Sequence, residues 1–127
     1  MVTRKAAVAV MAPTCTPYGP LSYVNWTHNY ETWLASYLSA APHAKFCGEV
    51  AQIQLHLGLD FINEQPHPSW LYEEEPWPKV VKHPRVRSAV IDQCATGQRG
   101  PAGGLVKKPT GFVASDEMLL KPLRPLV

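Results

Sequence analysis

The run Ala7-Val8-Ala9-Val10-Met11 has no polar position and is closed by Ala12-Pro13-Thr14-Cys15-Thr16-Pro17. An unbroken apolar run of strand length, stopped by proline, predicts a strand buried on both faces, as in the middle of a parallel sheet. Residues 12–29 read as an irregular, aromatic-bearing loop containing Pro17, Gly19 and Pro20. Helical signals run over 30–41, and Pro42 suits the first turn of a second helix. In 43–57 the positions Phe46, Val50, Ile53 and Leu57 recur at alternating spacings of four and three, which predicts a core-facing stripe ended by Gly58. A second strand is predicted over 59–63, ending at Glu64-Gln65-Pro66. A short helix over 77–83 follows, then a third strand over 86–91 ending at Asp92-Gln93-Cys94. A turn at Gly103-Gly104 precedes a last strand over 110–114.

The order β-α-β-α-β-β predicts an α/β fold with a mainly parallel sheet, closed by a C-terminal antiparallel hairpin whose last strand lies at the edge. One domain is expected over 1–115, followed by a proline-containing tail over 116–127 that is loose from Lys121. Composition fits this picture. The chain has 127 residues, 46% of them hydrophobic, which excludes a disordered polymer. No run is long enough to span a membrane and no secretory leader opens the chain, so a cytoplasmic or nuclear location is expected, without a membrane partner. Three cysteines at no zinc spacing fit a reducing compartment, with Cys47 packed in the core. The five histidines (28, 43, 56, 67, 83) show no metal spacing, so no metal site is expected. The net charge of +2 hides an asymmetry. Three Lys/Arg stand against seven Asp/Glu up to Pro78, and nine against three from Lys79 onward. The basic part suits either a phosphate-facing surface or a plain solvated one.

Chemistry enters at the strand ends. In an open sheet, parallel strands joined by helices end at one rim, where ligands collect. Cys15, Glu64 and the Asp92-Gln93-Cys94 corner fall at such ends. The alternative for Cys15 is a cysteine lying incidentally in a proline-rich turn, and for Glu64 a solvated strand-end acid.

In this region the chain resembles the catalytic half of the DNA cytosine-5 methyltransferases. Their Pro-Pro-Cys loop is matched by Pro13-Thr14-Cys15, and their strand-ending Glu-Asn-Val or Glu-Asn-Pro by Glu64-Gln65-Pro66. The Cys-x-x-Gly and Lys-Pro-Thr of divergent phage-like relatives are matched by Cys94-Ala95-Thr96-Gly97 and Lys108-Pro109-Thr110. The similarity spans roughly residues 6 to 115. It implies a partial Rossmann-like methyltransferase fold, with Cys15 as nucleophile toward a cytosine ring carbon and Glu64 as the carboxyl at the ring nitrogen. It also implies S-adenosylmethionine as methyl donor and DNA as partner. Arg99, Lys107 and Lys108 are the candidates for holding the nucleic-acid backbone, and Pro13 and Pro66 shape the loops. A thiolate is needed because the cytosine carbon alone does not attack a methyl donor.

Thr14 and Gln65 depart from the family pattern. The Gly-rich turn and following acid of a donor site are also missing, so the chain is expected to be truncated, to bind the donor poorly, and to need a partner polypeptide or a second copy over an open sheet edge. Two other readings stay open. One is a non-enzymatic remnant, serving as a nucleic-acid-binding or interaction module of a mobile-element polyprotein. The other is a thiol hydrolase, for which His28 is the histidine nearest Cys15 in sequence.

Overall fold

Four strands make one sheet: β1 (Val8–Met11), β2 (Asp60–Pro66), β3 (Arg87–Asp92) and β4 (Pro109–Ala114), in spatial order β1-β2-β4-β3. The computed structural model describes residues 7–20, 22–93, 103–104 and 108–127. β1 and β2 are parallel, while β4 runs antiparallel to both β2 and β3. The protein is thus mixed α/β, but its sheet is not mainly parallel in its pairing. The hairpin of β3 and β4 forms as expected. Its last strand does not take the edge; it inserts between β2 and β3, covering the backbone groups that β2 would otherwise leave open.

Between β1 and β2 run α1 (Ser22–His28) and α2 (Tyr30–His56). The expected irregular stretch before residue 30 therefore contains a helix. Asn29 then caps α2, its side chain accepting from the Thr32 amide at 3.4 Å. Pro42 does not divide the segment; α2 passes through it. Proline leaves the Leu38 carbonyl without its helical donor, and because Leu38 is exposed that carbonyl can take water instead.

The core face of α2 is the main departure from expectation. Ala40, Ala41, Ala44, Cys47, Gly48, Ala51 and Gln54 are buried, whereas Phe46 and Ile53 of the expected stripe are 60% and 56% exposed. Small residues let the helix come close to α3 (Trp77–Val81), whose Trp77 is fully buried and donates its indole N–H to the Ala44 carbonyl at 2.9 Å. Phe61 of β2 meets that indole edge-on at 6.2 Å. The buried Cys47 thiol keeps its expected core place, and burial pushes its pKa up.

The opposite face of the sheet is covered in part by α4 (Glu117–Leu120) and a 3-10 helix over Lys121–Leu126. Leu120 is fully buried with Ala89 and Ala114, and Ile62, Phe112 and Leu123 pack around them. The stretch from Lys121 is therefore packed rather than loose. Arg124 clasps Glu117 with two hydrogen bonds, at 2.6 and 2.7 Å. This cover does not reach β1. Val8 and Val10, expected to be buried, are 41% and 79% exposed, while Ala9 and Met11 pack on the α2 side. No helix among the described residues is long and apolar enough to cross a membrane.

Candidate active site

The loop that follows β1 is held by its own carbonyl groups. The Pro13 carbonyl accepts from the Gln65 side-chain amide at 2.7 Å, and the Cys15 carbonyl accepts from the Tyr18 and Gly19 amides at 2.9 and 3.0 Å. The Pro17 carbonyl takes the Trp33 indole N–H at 3.2 Å, and the Tyr18 carbonyl takes the Trp70 amide at 2.9 Å. Tyr18 itself is buried in the core. Four carbonyls fixed within six residues, with prolines at 13, 17 and 20 limiting φ, make a preorganised loop.

Cys15 is half-buried on this loop and lines a cavity of about 400 Å³. Thr16, Pro66, His67, Lys108 and Pro109 share the wall. The carboxyl ends of β1 and β2 and the start of β4 therefore meet here, while Asp92 and Gln93 of the third expected strand end do not line the cavity. Lys108 is exposed and contributes a cation at the mouth.

Glu64 is placed less directly. The strand runs three residues further than expected, so Glu64-Gln65-Pro66 lie within β2 rather than after it. Asn63 and Gln65 point toward the α2 side, where they bond Tyr72 and Pro13. Strand alternation puts half-buried Glu64 on the other face, with Ile62 and Pro66. It is paired with Phe112 and does not line the Cys15 cavity, from which it is one pleat away, about 7 Å back along the strand from Pro66. Tyr72 lies nearby, its phenol pushed up to about 12 by burial, with the negative charge of Glu64 adding to the rise and the Asn63 amide acting against it.

Arg99 and Lys107, together with Cys94 and Gly97, lie outside the described residues. Two residues of the site were not anticipated. Gln65, nearly fully buried, is the brace of the cysteine loop and is itself held by the Ser69 hydroxyl at 3.2 Å. Its signal was available in the alternation of Phe61, Asn63 and Gln65, which sets a polar side chain on the core face. His67 lines the Cys15 cavity, but it is 52 positions away in sequence and no local pattern marks it. His28, favoured by proximity in sequence, does not line that cavity.

The described residues contain no Gly-rich turn of the kind that holds S-adenosylmethionine. Among the described residues, the connection from β1 to α1 carries Pro13, Pro17 and Pro20 with the one glycine Gly19, and so is not a Gly-rich turn. Gly103, at φ +81°, and Gly104 have nothing within 4 Å of where a Cβ would stand, so they form an open turn and not a close cradle. Nor do the described residues hold a cluster of three or more metal-binding side chains.

The geometry defines a mixed α/β domain with a cysteine-lined cavity at its strand ends. No match is found among models of known families, curated proteins or solved structures.

Proposed function

We propose that this chain is the base-engaging part of a cytosine-5 DNA methyltransferase-like domain, its four strands a portion of a Rossmann-like sheet. Cys15 is the nucleophile and Glu64 its acid partner. The observation that carries the reading is the shared cavity of Cys15, Pro66 and Lys108, together with the bond from Gln65 to Pro13. Residues from three sequence motifs, far apart along the chain, thereby come together around one thiol.

In this reading the Cys15 thiolate adds to the ring carbon beside the one to be modified, forming a sulfur–carbon bond and making the base an enamine. Glu64 stabilises the adduct through the ring nitrogen, which requires the base to reach past Pro66 toward β2. Lys108, with Arg99 and Lys107, holds the phosphate backbone while the base is flipped out of the duplex. Methyl transfer from S-adenosylmethionine requires a donor site that the described residues do not form, so no transfer step is assigned to them.

The test is covalent trapping on a DNA duplex carrying 2-pyrimidinone in place of one cytosine, since that base adds thiols more readily. Intact-protein mass spectrometry is expected to detect an adduct in the natural sequence and none in Cys15→Ser. Absence of an adduct, or one that persists in Cys15→Ser, rejects the reading. A second reading, a non-enzymatic interaction module, draws on the uncovered apolar positions of β1 and α2.

A further inference from the structure

A second cavity, of about 630 Å³, lies between α1, the first half of α2 and a 3-10 turn over Trp70–Glu73. Three of the four tryptophans in the chain, Trp26, Trp33 and Trp70, line it; the fourth, Trp77, is in the core. Trp33 is stacked between Tyr37, at 5.2 Å with planes 13° apart, and Tyr30, at 5.8 Å with planes 25° apart, and this stack forms one wall. The bond from the Trp33 indole to the Pro17 carbonyl fixes that wall in place. Trp26 and Trp70 contribute rings that stay about half exposed, so they are not serving as core.

Two carboxylates, Glu73 and Glu74, close the rim, and no Lys or Arg lines the cavity. Glu74 is largely answered: the Tyr18 hydroxyl lies at 3.5 Å, the Tyr37 hydroxyl also bonds it, and the Lys45 ammonium lies at 4.0 Å. Glu73 is exposed at the rim.

The chemistry of such a cavity selects its ligand. Aromatic faces are electronegative and attract cations, tryptophan most strongly. A primary ammonium must give up strong hydration to sit among rings. A methylated ammonium gives up far less, and its methyl groups pack on the ring faces while the spread charge meets the carboxylates. Phosphate or nucleic acid is repelled by Glu73 and Glu74, in a part of the chain that carries four more acidic than basic residues. The volume falls within the ~300–1,000 Å³ of small-molecule sites. We propose that this cavity binds a quaternary ammonium group of the choline or trimethyl-lysine type. The proposal is independent of the reading of Cys15.

Titration of the full chain by tryptophan fluorescence tests it. The probes are choline, Nε-trimethyl-lysine amide and 3,3-dimethylbutan-1-ol, the uncharged carbon isostere of choline. At least one cation is expected to bind about tenfold or more tighter than the neutral isostere. Glu73→Gln, at an exposed position, should weaken cation binding several-fold and leave the isostere unchanged. Trp26→Ala should weaken the cations as well, with circular dichroism checking its fold. Which cation binds better identifies the source of the headgroup. Equal affinity for cation and isostere, no binding of either cation, or unchanged cation affinity in Glu73→Gln overturns the proposal.

Discussion

Gln65 shows how one side chain can govern a loop fifty positions away. Its amide donates to Pro13 and its oxygen accepts from Ser69, so both ends of a nearly fully buried polar group are answered. Gln65→Leu keeps the approximate volume but leaves the Pro13 carbonyl without its side-chain donor and the Ser69 hydroxyl with only the Leu71 amide as partner. Stranding a buried polar group costs about 1–3 kcal/mol, and urea unfolding should register a loss of that order. The loop should also loosen. Alkylation of Cys15, followed by mass spectrometry, is expected to speed up several-fold, while Cys47 stays protected because it is buried and its thiol is pushed toward the unreactive neutral form. If Cys15 reacts at an unchanged rate, Gln65 does not position the loop.

At the scale of elements, the sequence was most legible where polarity and chain punctuation agree. Three strands were placed to within a residue or so, and β2 was found although its end was set three residues short. Proline-bearing stretches hide helix in two places: residues 22–28 are helical, and Pro42 is absorbed within a helix whose buried neighbours are alanines. The face of α2 was misread because hydrophobic periodicity gives weight to large side chains, whereas close packing here selects small ones. The insertion of β4 was not readable, since strand order is set by long-range pairing rather than by local pattern. In the candidate site, the meeting of Cys15 and Pro66 could be anticipated from the rim of strand ends; the approach of His67 could not. Gly48 makes the packing argument testable. A Cβ there would lie 2.9 Å from Pro76 Cδ and 3.1 Å from the Trp77 ring, both of which sit on the core side of α2. Alanine would gain about 1 kcal/mol in helix propensity, yet overpacking a filled core typically costs about 1–3 kcal/mol. Gly48→Ala is therefore expected to lower the thermal midpoint, and an increase would mean that α2 and α3 have slack between them.

For the molecule as a whole, the sheet is unevenly protected. β3 and β4 are roofed on one face by α4 and the Lys121–Leu126 helix, and the α2 side covers β1 and β2 on the other. Among the described residues β1 pairs only with β2, so its outer backbone groups face away from any strand, and Val10 beside them is 79% exposed. On the outer side of α2, Phe46, Ile53 and Leu57 form an exposed apolar row. An unpaired edge and an apolar row of this kind favour association, since a second chain can supply the backbone partners and remove the hydrocarbon from water. The 127-residue chain is accordingly expected to dimerise or aggregate, with a mass by light scattering that rises with concentration. Val10→Lys places a charge beside the edge and Ile53→Lys interrupts the helical row. Neither side chain is buried, so both variants should keep the fold while shifting the chain toward monomer. A monomeric mass maintained at high concentration in the unaltered chain, with cooperative unfolding, would mean that the open edge is tolerated and that the four-stranded sheet suffices by itself.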